Sequence, residues 1–159
     1  MHTETALAPG ALAFWQRYVA NEIATGHAAP RLYDTMMIGG HAASADIGAQ
    51  LILSGQKTTT SALPSDFDGS GQRPPRPGDL SLVLDGRGDP VCIVRTVSVK
   101  TQPFRNVDEA FALDYGEWDG TLATWRDRML AYYADRLVEN PLDTPLVCER
   151  FTRVWPLPA

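Results

Sequence analysis

Residues 77–101, PGDLSLVLDGRGDPVCIVRTVSVKT, constrain the fold more than any other stretch of this chain. Two runs rich in β-branched and aliphatic residues, LSLVL and PVCIVRTVSV, flank DGRGD, whose Gly and Asp residues suit a tight reversal. The stretch reads as a β-hairpin, so the rest of the chain has to be built around an antiparallel sheet. Side chains alternate along a strand, which puts Val91, Ile93, Arg95, Val97 and Val99 on one face. Arg95 is the ionic group on that apolar face and belongs at an edge or in a site.

The flanking segments alternate helix and strand without forming βαβ units. In residues 10–25, Leu12, Trp15, Val19 and Ile23 recur at helical spacing, and Gly26 is a stop. Residues 27–43 hold Gly39 and Gly40 and read as an excursion across the surface. Ser44 can cap a second helix, with Asp46 in its first turn and Gly55 just beyond its end. Residues 57–63 turn β-branched and should begin a strand, and residues 64–78, PSDFDGSGQRPPRPG, form a loop. Asn106 with Glu109 resembles a capping box, Thr121 caps a further helix, and TPLVCERFTRVWPL closes the chain as a strand. The expected fold class is α+β: one domain over residues 1–159, a small curled mixed or antiparallel sheet with helices packed outside.

A chain of 159 residues with 44% hydrophobic and 21% charged residues suits one soluble domain with a real core. A net charge of -5 argues against gripping long nucleic acid by positive charge alone, and no DNA partner is expected. Charge is uneven: residues 71–105 carry six basic and three acidic residues, whereas residues 106–149 carry three basic and ten acidic. No apolar run approaches membrane-spanning length, and the N-terminus lacks the pattern of a secretory signal. Cys92 and Cys148 lie in strand-like runs and read as reduced core thiols, which points to the cytoplasm, although two paired strands could also bring them to a disulfide. His2, His27 and His41 have no metal-ligand spacing, so no metal site is expected.

The stretch SGQKTTTSAL places a lysine and three threonines where the chain leaves a helix. Read as structure, Lys57 complements a helix dipole and Thr58, Thr59 and Thr60 are strand formers. Read as chemistry, they make a binding or catalytic corner. LILSGQKTTT, then RPGDLSLVLDGRGDPVCIVRT, FALDYGEWDGTLATWR and VCERF together resemble the ASCH domain family over about residues 36–155. The resemblance implies a PUA-like β-barrel with flanking helices and a cleft that handles RNA or a nucleoside-like ligand. Some relatives, bacterial proteins among them, hydrolyse an acyl amide on modified cytidine; others are assigned ribonuclease activity, and many have none assigned. The family's K-x-x-T falls on Lys57 and Thr60, and its later glutamate matches Glu117. Two departures stand out: Met129 replaces a frequent histidine three residues after the W-R pair, and Gly40-His41 stands where an acidic residue is usual.

Lysine, threonine and glutamate suffice for amide hydrolysis without a cofactor: a desolvated lysine as base or oxyanion stabiliser, a hydroxyl, and a carboxylate that moves protons. A ribonuclease would use Lys57 with an arginine and can call on a divalent ion. A module that binds RNA or a nucleotide without turnover is the third reading. Candidate ligand contacts are Thr58, Thr59, Arg95, Trp118, Arg126 and Arg150: Trp118 can stack a base, and the arginines can meet a phosphate or form ion pairs. In a regular strand Lys57 and Thr60 point to opposite faces, so they converge only if the chain is irregular after Gly55 or Lys57 still belongs to the helix end.

Overall fold

A computed structural model describes residues 4–69 and 71–157; His2 and Ser70 lie outside the described residues. The strands are β1 (Leu32–Met36), β2 (Thr59–Ala62), β3 (Leu80–Leu84), β4 (Pro90–Pro103) and β5 (Pro145–Trp155). The helices are α1 (Pro9–Ala24), α2 (Ala42–Ser54), α3 (Ser65–Asp68), α4 (Glu109–Asp114) and α5 (Leu122–Tyr132). The strands form one mixed sheet in the order β1-β3-β4-β5-β2. The hairpin pairs as its sequence requires, from Leu80 opposite Arg95 to Val83 opposite Cys92. Strand β5 runs antiparallel to β4 from Ile93 opposite Trp155 to Pro103 opposite Pro145. Strand β2 pairs with β5, whereas β1 lies parallel to β3. The fold is thus α+β. The expected barrel is an open curl whose free edges are β1 and β2.

Several local expectations change. The segment read as a surface excursion contains β1, which the sequence hides: five residues long, with Asp34 inside and a register shift between Leu32 and Asp34. Helix α1 begins with Pro at its first position and buries Ala11, Trp15 and Tyr18, while Ile23 is exposed. The buried stripe is therefore turned from the aliphatic one, because the two aromatic rings fill the space against Leu80, Leu82 and Ile93. His41, not Ser44, caps α2: its Nδ1 accepts from the Ser44 N–H, and the Ser44 hydroxyl accepts from the His41 N–H. Asp46 accepts from the Gly86 N–H across the hairpin turn, and Asp108 rather than Asn106 caps α4. Thr121 caps α5 as read, its hydroxyl accepting from the Thr124 N–H.

Alternation in β4 is broken by register shifts after Ile93 and Thr96. Cys92 and Val94 pack with Val83, Phe151 and Ile52 of α2, while Ile93 packs under α1. Arg95 and Val97 face solvent. A third cluster joins α4 and α5 to the far end of the sheet through Phe104, Phe111, Trp125, Met129 and Leu146. Cys92 and Cys148 are free and buried in different clusters.

Gly48 of α2 lies against Ile38, the residue between β1 and the Gly39-Gly40 turn. A Cβ built there would stand 2.4 Å from the Ile38 Cβ. Gly48→Ala is expected to lower the thermal midpoint, even though alanine is favoured over glycine by about 1 kcal/mol inside a helix. A raised midpoint in a calorimetric scan would show that Ile38 gives way freely.

Candidate active site

The corner after α2 answers the geometric question raised by Lys57 and Thr60. Gly55 takes a left-handed conformation, φ +85°, and the Lys57 N–H donates back to the Leu51 carbonyl at 3.0 Å. Lys57 is therefore tied to the helix end, and β2 starts only at Thr59. The lysine side chain turns inward and has no exposed surface. Its three ammonium protons need partners there. The Nζ donates to Glu117 Oε2 at 2.9 Å and to the Tyr115 carbonyl at 3.1 Å, and it lies 3.2 Å from the centre of the Tyr115 ring. Burial lowers the Lys57 pKa to about 8 against the opposing pull of the Glu117 carboxylate.

The turn between α4 and α5 supplies the other half. Gly116 has φ +74°, and a Cβ there would stand 2.4 Å from the Gln56 carbonyl oxygen. Only glycine lets this turn lie so close to the Lys57 backbone. The Gln56 side chain closes the contact, donating to the Gly116 carbonyl at 2.8 Å. Trp118, also at positive φ, stacks on Tyr115 with centroids 5.9 Å apart and planes 14° from parallel. The Tyr115 phenol meets the hydroxyls of Ser61 and Thr60, and burial raises its pKa so that it stays protonated.

Gln56, Tyr115, Gly116, Glu117 and Trp118 line a cleft of about 800 Å³ that opens where the sheet fails to close. Met36 of β1 forms one wall, Thr60 and Ser61 of β2 the other, and Glu117, Trp118 and Met129 the side towards α5. Its size falls within the range of small-molecule sites. The Lys57 ammonium sits behind this wall, and the Glu117 carboxylate, 15% exposed, reaches the surface in front of it.

Four of the residues singled out in the sequence converge here: Lys57, Thr60, Glu117 and Trp118. The others lie elsewhere. Thr58 binds the Asp114 carbonyl through its N–H, and the Thr59 hydroxyl donates to the Phe111 carbonyl inside the protein. Arg95 reaches Tyr18 on the α1 side, Arg126 reaches the Val107 carbonyl, and Arg150 pairs with Asp114 at 2.7 Å. Sequence reasoning passed over Tyr115, which no motif position marks, and Arg128 and Tyr132 on α5. It noted His41, with Gly40, as standing where the family usually has an acidic residue, but gave it no role. All four line the cleft.

The comparisons agree with the motif resemblance. A family model described as ASCH domain matches residues 34–155. The chain belongs to the ASCH domain family. An ASCH domain from Lactobacillus crispatus JV V101 has a similar solved structure, with a TM-score of 0.80 and 25% identity over 92% of this chain and 95% of that one. A protein from Enterococcus faecalis V583 gives a TM-score of 0.75 and 27% identity, covering 91% of this chain and 88% of that one. No curated protein matches the chain. Among the described residues of this ASCH protein, no cluster of three or more metal-ligating side chains forms. No helix among the described residues is long and apolar enough to cross a membrane.

Two measurements probe the site as architecture. Gly116→Ala forces a left-handed backbone onto a residue with a Cβ, which alone costs about 1–2 kcal/mol, and drives that carbon into Gln56. The variant is expected to unfold at lower denaturant than wild type by more than that strain accounts for. Lys57 binds its proton more weakly folded, at about 8, than unfolded, at 10.5. The unfolded chain therefore holds more protons between these values, and stability rises with pH across that window. Measured against Lys57→Met/Glu117→Gln, the wild type should gain relative stability from pH 8 to 10.5. A flat difference would show that Lys57 is not desolvated.

Proposed function

We propose that this ASCH protein is a hydrolase that cleaves an acyl amide on a nucleobase of the cytidine type. The supporting observation is the Lys57–Glu117 pair: sealed from solvent on the lysine side, open to the cleft on the glutamate side, and sharing that cleft with Thr60. Such a pair gives a carboxylate of fixed orientation at the place where a ligand enters.

Glu117 is the general base. It takes a proton from a water molecule, whose oxygen adds to the acyl carbon. The tetrahedral oxyanion accepts a hydrogen bond from the Thr60 hydroxyl. Collapse breaks the carbon–nitrogen bond, Glu117 returns its proton to the leaving amine, and a carboxylic acid and a free exocyclic amine remain. Thr60 serves as donor rather than nucleophile, because its neighbour is the protonated Tyr115 phenol and not a base. Lys57 touches no substrate. It holds Glu117 in place and keeps positive charge behind it, so it acts as a positioning residue. Trp118, 43% exposed at the cleft, offers the aromatic surface on which a base can rest.

The test is release of acetate from N-acetylcytidine. Wild type is expected to turn it over, and Glu117→Gln, which can still bond Lys57, should lose about 10²–10⁴-fold. Activity should fall above pH 8 as Lys57 loses its proton. Equal rates for wild type and Glu117→Gln would overturn the mechanism. Cleavage of single-stranded RNA without deacetylation would make the protein a ribonuclease, and RNA binding with neither reaction would make it a binding module.

A further inference from the structure

The arginines that the sequence offers for phosphate all have protein partners away from the cleft: Arg150 with Asp114, Arg95 with Tyr18 and Arg126 with the Val107 carbonyl. Arg128 of α5 differs from them. It is exposed, it lines the cleft, and no other arginine or lysine among the described residues does so. None of the ion pairs among those residues includes it. Its guanidinium instead rests 5.7 Å from the centre of the Trp118 ring, beside Glu117 in the chain. The cleft thus carries one carboxylate and one guanidinium that do not neutralise each other.

What surrounds this cation is apolar. Met37, Ile47, Trp118 and Tyr132 line the cleft, and each is between 43% and 59% exposed. Large exposed side chains gathered at one opening mark a surface made to be covered. A flat, largely apolar ring system fits them, and a planar guanidinium without a carboxylate partner fits a phosphate through paired hydrogen bonds. The volume of about 800 Å³ leaves room for both.

We infer that Arg128 forms a phosphate subsite at the lip of the cleft, so that the ligand is a phosphorylated nucleoside rather than a free one. The inference rests on the reading of this cleft as a nucleobase site. The base lies towards Thr60 and Glu117, and the phosphate lies over α5. A mononucleotide and a phosphodiester strand offer the same group to Arg128.

The experiment measures binding by calorimetry to the full chain with cytidine, cytidine 5′-monophosphate and a cytidine-containing dinucleotide, beside Arg128→Gln. The expected result is that a phosphorylated ligand binds wild type about tenfold or more tighter than cytidine. Arg128→Gln should abolish that preference. Its thermal midpoint should match wild type, as its side chain is exposed. A gain for the monophosphate identifies a mononucleotide ligand, and a gain for the dinucleotide alone identifies a strand. Equal binding of cytidine and both phosphorylated ligands, a preference that survives in Arg128→Gln, or no binding by any of them overturns the inference. Deacetylation with no phosphate preference removes the subsite and leaves the hydrolase. Arg128-dependent phosphate binding without deacetylation removes the hydrolase and leaves the subsite.

Discussion

An ammonium group shut away from water has to be solvated by the protein, and in this ASCH domain that demand organises everything near Lys57. An unpaired cation at such depth would shed its proton or unfold its surroundings. A carboxylate, a carbonyl and a ring face replace the lost water, and two of the three come from Tyr115 alone. The two stretches that meet there lie 58 and 60 residues apart in sequence and approach closely only because Gly116 has no side chain. Gly55 sets where the lysine points, and Gly116 sets how near its partners come. The cost of burying the charge is offset by a rigid carboxylate facing the cleft.

The open sheet gives that carboxylate somewhere to act. A closed barrel would join β1 to β2 and fill the seam with main-chain hydrogen bonds. Here the two edges stay apart, with Met36 on one and Thr60 on the other. The edge-strand hazard is contained because both strands are short, five and four residues, and helices α2 and α5 flank the gap.

The sequence revealed the parts of this molecule whose cause is local. The 77–101 hairpin, the Thr121 cap and the turn at Gly55 follow from residue types a few positions apart. Lys57, Thr60 and Glu117 came from a spaced motif rather than from composition; in the structure Lys57 bonds Glu117, and Glu117 and Thr60 line the same cleft. Other features depend on distant pieces. Strand β1 is too short and too polar to announce itself and exists because β3 offers it an edge. Arg95 looked conspicuous from alternation alone, but register shifts interrupt β4 on either side of the Arg95–Thr96 pair. Arg128 looked ordinary because an exposed arginine on a helix usually is, and only the cleft beside it makes it unusual. Tyr115 could not have been chosen from its identity, since its role lies in a carbonyl, a ring face and a hydroxyl used together.

The pairing of β2 also governs when the site can exist. Its ladder is made with β5 alone, Thr59 to Ala62 against Arg150 to Val147, nearly ninety residues further along the chain. Contacts of such separation carry a loop-closure cost and slow folding. During synthesis, the hairpin and the elements before it emerge well ahead of β5. The threonine wall has no partner strand until then, so the cleft is among the last features of the molecule to become real.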